Sequence, residues 1–150
     1  MSLQMKKSLK IIGISITTTN ENGKSAQDLS ALWNKFYTEK IAEKIPGTLN
    51  HKIYAIYTDY ENDFRGKYTA IIGMEVSSLH HIPEGLVGRA FPEEYFTEFI
   101  AKGEMPAAII NTWEEIWQRD KDLHRAYTYD FEVYTDKPSE VSIFISVKEN

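Results

Sequence analysis

The chain has 150 residues, enough for one domain of ordinary size or for two small halves that share a core. Hydrophobic residues make up 42% of it and charged residues 26%, a composition typical of a globular protein and not of a disordered one. The net charge of −5 argues against a protein that binds nucleic acid directly, since such proteins usually need a basic face to displace phosphate counterions.

The sequence also excludes several kinds of chemistry. Without cysteine there can be no disulfide, no thiolate metal site and no cysteine nucleophile. The histidines show no metal-ligand spacing, and neither a GxGxxG motif nor a P-loop occurs, so we expect no metal and no cofactor. No apolar run approaches the roughly 20 residues that cross a bilayer, and no signal peptide is visible. We therefore expect a cytoplasmic protein.

The first half of the chain predicts a strand, a helix and two more strands. Residues 9–18 are rich in β-branched side chains that alternate loosely, which is typical of a strand. Apolar residues then recur at mostly helical spacing from Leu29 to Ile45, which predicts one amphipathic helix ended by Pro46 and Gly47. Residues 52–60 and 67–77 predict two strands, joined by a hairpin-type loop that contains Gly66.

The second half repeats this order. Residues 86–91 predict a strand, and residues 95–100 fit either a strand or a helical turn, with strand favoured. An apolar stripe over residues 108–117 predicts a helix, and residues 125–134 and 140–148 predict two further strands. Arg119, Lys121 and Arg125 form a small charged cluster that we interpret as a solvated turn.

The two halves share more than their element order. Each helix carries a tryptophan, Trp33 or Trp113, and a Tyr-Thr-Asp tripeptide ends the following strand, at 57–59 and at 134–136. We therefore predict one α+β domain made of two β-α-β-β units, at about 7–80 and 84–149, that form an antiparallel sheet with two main helices. The units would pair about a pseudo-twofold axis, and the central groove between them is a natural ligand site.

Glu132 is the carboxylate of greatest interest. Alternation along its strand places Thr128, Asp130, Glu132 and Tyr134 on one face. If that face lines the groove, Glu132 is an acid among aromatic rings. Coulomb attraction to an organic cation would be supplemented by cation–π contacts worth about 0.5–2 kcal/mol each. Without a cation, desolvation would raise the pKa of Glu132. The alternative is a solvated glutamate on a strand face, which is also our interpretation of Glu75 in the first half.

Aromatic and sulfur-containing side chains supply the candidate walls of the groove. The sequence does not separate wall positions from core positions, because an aromatic stripe on a helix or strand serves both purposes. Together with Glu132 and Tyr134, the candidate ligand-binding residues are Trp33, Phe36, Tyr57, Tyr68, Met74, Tyr95, Trp113 and Trp117.

An ordered series of segments resembles one known family. The segments are Leu32-Trp33 with Phe36, residues 54–60, Gly66-Lys67-Tyr68-Thr69, Gly73-Met74-Glu75-Val76, residues 82–86, Trp113-Glu114-Glu115-Ile116-Trp117 and Asp130-Phe131-Glu132-Val133-Tyr134. The series spans about residues 7–148 and resembles GyrI-like, AraC-type effector-binding domains. The stand-alone proteins of the integron-cassette type look most similar.

The resemblance implies a duplicated β-α-β-β fold with a central ligand groove, and it favours a strand at residues 95–100. Family members sense or sequester drug-like molecules, often aromatic cations. Some carry a MerR-type or AraC-type DNA-binding head, which we expect to be absent here. The pocket glutamate of the family matches Glu132, Tyr68 matches another pocket position, and Trp113 matches less securely. A small-molecule binder, and not an enzyme, is the first hypothesis.

Two further hypotheses come from the same resemblance. Some members are hydrolases of cyclopropane-containing toxins, in which case Glu132 would act as general base toward water while Tyr68 hydrogen-bonds the leaving group. Others are gyrase inhibitors, which would make the acidic surface a site for a basic protein partner. A homodimer is also left open.

Overall fold

The strands of the computed structural model pair antiparallel and close into a barrel, in the order β1-β3-β2-β5-β6-β4. The structure describes residues 4–63 and 65–148. Its strands are β1 (Gln4–Thr19), β2 (Ile53–Thr58), β3 (Lys67–Glu75), β4 (Val87–Lys102), β5 (Tyr129–Tyr134) and β6 (Glu140–Val147). Its helices are α1 (Lys24–Thr38), α2 (Ile41–Lys44), α3 (Ala107–Gln118) and α4 (Asp120–Leu123), with a three-ten turn at Glu21–Gly23.

The predicted α+β fold with an antiparallel sheet and two main helices is confirmed. Strand order within the first half is β1-β3-β2 and within the second half β4-β6-β5, so the two halves have the same topology. They join along two seams, where β2 pairs with β5 and β1 pairs with β4. An origin of this topology in duplication stays a prediction.

Alternation along the strands separates the barrel interior from its outer face. The interior is filled by a cluster to which all six strands contribute, with Ile11, Ile56, Ile71, Phe131 and Phe144 among its members. The outer face of the first half packs under α1 and that of the second half under α3. The two helices thus lie on the outside of the barrel. Within residues 4–63 and 65–148, neither they nor the short helices have the length and apolar character to cross a membrane.

The predicted helix that ended at Ile45 is shorter in the structure. The long helix stops at Thr38, because Lys40 adopts a left-handed conformation with φ of 50° that breaks the hydrogen-bond ladder. A separate single turn, α2, follows. It places Ile41 and Ile45 in the core under α1, so the apolar periodicity continues although the helix does not.

Two strand boundaries also differ from the prediction. The two predicted strands at 86–91 and 95–100 form one strand, β4, which begins at Val87. It is continuous because a bulge sets Pro92 and Glu93 opposite a single residue of β1, and the missing N–H of proline is tolerated at a bulge. Residues 125–128 lie outside β5. Arg125 makes only an isolated bridge to Val147, and Tyr127 has a left-handed φ of 56°, which interrupts the strand predicted over residues 125–134.

Strands β1 and β3 approach each other closely where two glycines face one another. Gly13 pairs with Gly73, and a Cβ built on Gly73 would lie 2.2 Å from the carbonyl oxygen of Ile12. A Cβ on Gly13 would lie 2.0 Å from the carbonyl oxygen of Ile72. The atoms in the way are backbone, so no side-chain rotation relieves the contact. Both positions therefore require glycine.

We expect Gly73→Ala to lower the free energy of unfolding by at least about 3 kcal/mol, since a backbone clash in a buried strand pair forces the sheet apart. Chemical denaturation followed by tryptophan fluorescence measures the change. Ser15→Ala, at an exposed position on the same strand β1, is the matched control and should change stability by less than about 0.5 kcal/mol. A Gly73→Ala protein as stable as the wild type would contradict the close approach.

Candidate functional site

A cavity of about 540 Å³ lies between α1 and α3, over the seam where β2 pairs with β5. The volume is within the range of sites that enclose drug-sized ligands. Most of the wall is aromatic or aliphatic. The lining residues are Asn20, Ser25, Ala26, Leu29, Ser30, Trp33, Tyr57, Tyr60, Tyr68, Pro106, Ile109, Ile110, Trp113, Trp117, Arg125, Glu132 and Tyr134.

The register of the seam explains why the two walls resemble each other. Glu132 pairs directly with Ala55, and the tyrosine two residues further along each strand, Tyr134 or Tyr57, lies on the same face as that pair. Each tyrosine meets the tryptophan of the opposite half edge-on. The ring centroids of Trp33 and Tyr134 are 4.9 Å apart, and those of Trp113 and Tyr57 are 5.7 Å apart. A pseudo-twofold axis of the predicted kind, which would relate Tyr57 to Tyr134, would pass through the pair of Glu132 and Ala55, where an acid faces a methyl group.

Glu132 is only 2% exposed and is held by neutral hydrogen-bond donors. The hydroxyl of Tyr134 donates to its Oε1 at 2.5 Å and the indole Nε1 of Trp113 donates to its Oε2 at 2.6 Å. The hydroxyl of Tyr57 is a further donor. In the part of the chain that the structure describes, no lysine or arginine forms an ion pair with Glu132.

Burial dominates the protonation of this group. Desolvation raises the pKa of Glu132 above its ordinary value, while the hydrogen bonds from Tyr134, Trp113 and Tyr57 act in the opposite direction. Burial, together with the neighbouring carboxylate, also raises the pKa values of Tyr57 and Tyr134, so both tyrosines stay neutral donors. Desolvation raises the pKa of Tyr68 to about 12. Glu132 is thus an ionisable group without a countercharge, surrounded by rings that remain uncharged near neutral pH.

A second acid on the same strand face has a different partner. Asp130 is fully buried and accepts hydrogen bonds from Nη2 of Arg125 at 2.8 Å, from the backbone N–H of Ser146 at 2.8 Å and from the hydroxyl of Tyr60. The guanidinium of Arg125 also lies 4.3 Å from the ring centroid of Tyr127. The charge of Asp130 is therefore compensated, and that of Glu132 is not.

Most of the predicted ligand-binding residues come together around the cavity. These are Trp33, Tyr57, Tyr68, Trp113, Trp117, Glu132 and Tyr134. Their roles in ligand binding remain predictions. The hydroxyl of Tyr68 donates a hydrogen bond to Oδ1 of Asn20, before α1, at 3.0 Å, and the ring of Tyr68 lies against those of Tyr57 and Tyr60.

Three predicted residues lie elsewhere. Phe36 is one helical turn beyond Trp33, which turns it toward the sheet, and it is 1% exposed in the core under α1. Met74 occupies the far end of β3 in the same core. Tyr95 projects from β4 and packs against the core under α3. All three act as packing residues, and the interpretation of them as cavity walls is wrong.

Sequence reasoning missed other parts of the wall. Leu29 and Ile109 each lie four residues before a wall tryptophan, and this helical spacing was the available signal. Arg125 was interpreted as part of a solvated turn, but it is 5% exposed and lines the cavity. Glu75, expected to be exposed, is half-buried, and accepts a hydrogen bond from the Tyr54 hydroxyl at 3.3 Å. The described residues contain no cluster of three or more His, Asp or Glu side chains that could hold a metal ion.

Comparison with known proteins gives the fold a context. The Vibrio cholerae integron cassette protein VCH_CASS2 has a similar structure, with a TM-score of 0.81 and 32% sequence identity over 98% of this chain and 95% of that one. SAV2435, whose structure was solved with tetraphenylphosphonium bound, has a TM-score of 0.81 at 19% identity, over 99% of this chain and 94% of that one. This second similarity establishes the shared fold.

Sequence comparison agrees with the structural one. YobU of Bacillus subtilis (strain 168), whose name suggests a transcriptional regulator, is 26% identical over 128 residues, which cover 81% of this chain and 80% of YobU. The profile of the integron-associated effector binding proteins (Cass2) matches residues 2–147. These matches confirm the resemblance to GyrI-like effector-binding proteins, and the chain belongs to the integron-associated effector binding protein family.

Proposed function

We propose that the protein binds hydrophobic organic cations in the cavity between α1 and α3, and senses or sequesters them. The observation that carries this proposal is the state of Glu132: a carboxylate 2% exposed, under an aromatic wall, with neutral donors and no countercharge among the described residues. A bound cation supplies the missing charge. No other carboxylate lines the described cavity, so the cationic centre has one place to lie.

The energetics favour one class of cation. Moving a carboxylate out of water costs several kcal/mol, which a nearby positive charge offsets in a medium of low dielectric constant. A small, strongly hydrated ammonium ion would lose its own hydration in exchange. A cation whose charge is spread over or shielded by aromatic groups loses much less, and it gains cation–π contacts with Trp33, Trp113 and the seam tyrosines. The ligand expected here is therefore large, aromatic and singly charged.

The structural neighbours support the same ligand class. SAV2435 was solved with tetraphenylphosphonium, a lipophilic aromatic cation. Tetraphenylphosphonium is accordingly the first probe to use with this protein. The hydrolase and protein-interaction hypotheses stay predictions, since no contact described above favours either of them over binding.

We expect Glu132→Gln to weaken tetraphenylphosphonium binding at pH 7.5 by at least tenfold, about 1.4 kcal/mol, because the amide keeps the size of the side chain and removes its charge. Isothermal titration calorimetry measures the dissociation constant. Glu75→Gln is the matched control, since Glu75 is also a strand glutamate that accepts a hydrogen bond from a tyrosine but lies outside the cavity, and it should change affinity less than twofold. Equal affinity in wild type and Glu132→Gln would refute the proposed role.

Binding should depend on pH through Glu132. Burial raises the pKa of Glu132 above 4.5, so at pH values below its folded-state pKa the side chain is protonated and neutral. Only the ionised form attracts a cation. Below the folded-state pKa the dissociation constant should rise about tenfold per pH unit. The other titratable groups that contact Glu132 are Tyr57 and Tyr134, whose pKa values burial raises, so both stay neutral in this pH range. Glu132→Gln should show a flat profile, whereas an equally steep profile in that variant would assign the dependence to another group.

The same shift has a consequence for the ligand-free protein. A carboxyl whose folded-state pKa is raised contributes stability while protonated, and that contribution is lost as pH rises from 4.5 through the folded-state pKa. Removing the hydroxyl donor in Tyr134→Phe should raise the pKa of Glu132 further, since this hydrogen bond lowers it. Carboxyl ¹³C NMR titration measures the pKa. Tyr37→Phe, at an exposed ring, should leave it unchanged. A lower pKa in Tyr134→Phe would contradict the assignment of that donor.

A further inference from the structure

We infer that a second cavity, next to the one that Glu132 lines, binds aromatic carboxylates, and that Lys137 pairs with the carboxylate. This cavity has a volume of about 400 Å³ and lies between the C-terminal half of α1, the start of α3 and the loop that joins β5 to β6. The inference goes beyond the proposed function, since it concerns a different cavity and does not require that the first one binds cations.

The first observation is an aromatic surface that remains accessible inside a concave site. Tyr37 lines the second cavity, is 60% exposed, and stacks on Trp33 with ring centroids 5.9 Å apart and planes inclined by 19°. Met105 and Val141 add aliphatic wall. The volume is within the range of small-molecule sites, and a flat aromatic ligand would cover apolar area that the protein itself leaves open.

The second observation is the charge of the cavity wall. Lys137 is the one charged residue among the described residues that line the second cavity, so no aspartate or glutamate there opposes an anion. Within residues 4–63 and 65–148, its ammonium group forms no salt bridge with a carboxylate. Lys137 is exposed, and its flexible stem allows the ammonium to follow a ligand at the rim. A carboxylate would therefore meet positive charge here, whereas Glu132 would repel it from the first cavity.

The loop that carries Lys137 is held by its own hydrogen bonds. The backbone N–H of Lys137 donates to Oγ1 of Thr135 at 3.2 Å, and the N–H of Gly103 donates to the carbonyl oxygen of Ser139 at 3.0 Å. Thr135 also lines the cavity, and because its oxygen is the acceptor in that bond, its own O–H can donate to a ligand. An ordered loop with two donors lowers the ordering cost of binding a carboxylate.

The two cavities share part of their walls, which decides how binding must be observed. Trp33 and Tyr134, whose ring centroids are 4.9 Å apart, line both of them. A change in total tryptophan fluorescence would therefore not tell one cavity from the other. Met105 lines only the second cavity and Trp113 lines only the first, so these two residues report on them separately.

The test titrates 2-naphthoate and its neutral analogue 2-naphthamide into protein labelled with ¹³C at the methionine methyl groups. The ring current of bound naphthoate should shift the Met105 methyl resonance, which Met105→Leu assigns, until the site is saturated. Met74, in the core under α1, should not move, and neither should the indole N–H resonance of Trp113. The dissociation constant of naphthoate should be at least about threefold lower than that of naphthamide, a difference typical of an exposed ion pair.

A variant then assigns the preference for the anion to one side chain. In Lys137→Gln the two compounds should bind with about equal affinity, because the amide cannot form the ion pair. Lys52→Gln is the matched control: Lys52 is also exposed and lines neither cavity, and the variant changes the net charge by the same amount. It should keep the wild-type ratio of dissociation constants. Both lysines are exposed, so we expect both variants to fold, and their melting temperatures check this.

Each other outcome overturns the inference. If naphthoate leaves the Met105 resonance unmoved, or shifts the Trp113 indole resonance instead, the second cavity is not its site. If naphthamide binds the wild-type protein as tightly as naphthoate, the cavity does not select anions. If Lys137→Gln keeps the wild-type ratio, or Lys52→Gln loses it equally, Lys137 is not the partner of the carboxylate. None of these results bears on the binding of tetraphenylphosphonium in the first cavity, which is measured separately.

Discussion

The burial of one uncompensated carboxylate is the constraint on which the rest of the site depends. An acid in the middle of a strand lowers stability little when its face of the strand is in water. Here α1 and α3 cover that face and leave the side chain of Glu132 only 2% exposed. Hydrogen bonds from three neutral donors offset part of the free-energy cost of desolvating this carboxylate, and the stability of the rest of the fold must offset the remainder. The barrel interior, with aromatic rings from several strands packed together, supplies a core that does not include this face.

The asymmetry at the seam follows from the same constraint. Glu132 lies directly opposite Ala55, and side chains at such positions are about 5 Å apart. A second acid in place of Ala55 would put two carboxylates together, and one of them would take up a proton instead of a ligand. A methyl group there leaves one ionisable acid and leaves space above the axis. The walls can be nearly symmetric, as the pairs of Trp33 with Tyr134 and Trp113 with Tyr57 are, because only the charge must be unique.

The sequence predicts the elements better than it predicts what covers them. Periodicity gives the order of strands and helices, and alternation places Glu132 on the face opposite Phe131. Whether that face meets water depends on α3, which no local pattern around Glu132 reveals. The apolar stripe of α1 predicts both Trp33 and Phe36, yet its two edges face different neighbours, so one residue lines the cavity and the other fills the core. The prediction of a solvated turn is wrong for Arg125. A charged residue near a turn is usually solvated, and the burial of Arg125 depends on its ion pair with Asp130, which the local sequence does not reveal.

Asp130 and Glu132 show how the partners of an acid, and not its position, decide what it does. They share a strand, a face and near-complete burial. Arg125 cancels the charge of Asp130 at 2.8 Å, so Asp130 anchors the end of the cavity and attracts little from solution. Tyrosine and tryptophan donors satisfy the lone pairs of Glu132 without cancelling its charge, so its field reaches into the cavity. One end of the site is thereby rigid and nearly neutral. Under the proposed function the positive charge of the ligand would lie at the other end, beside Glu132, and this would fix the orientation of the ligand.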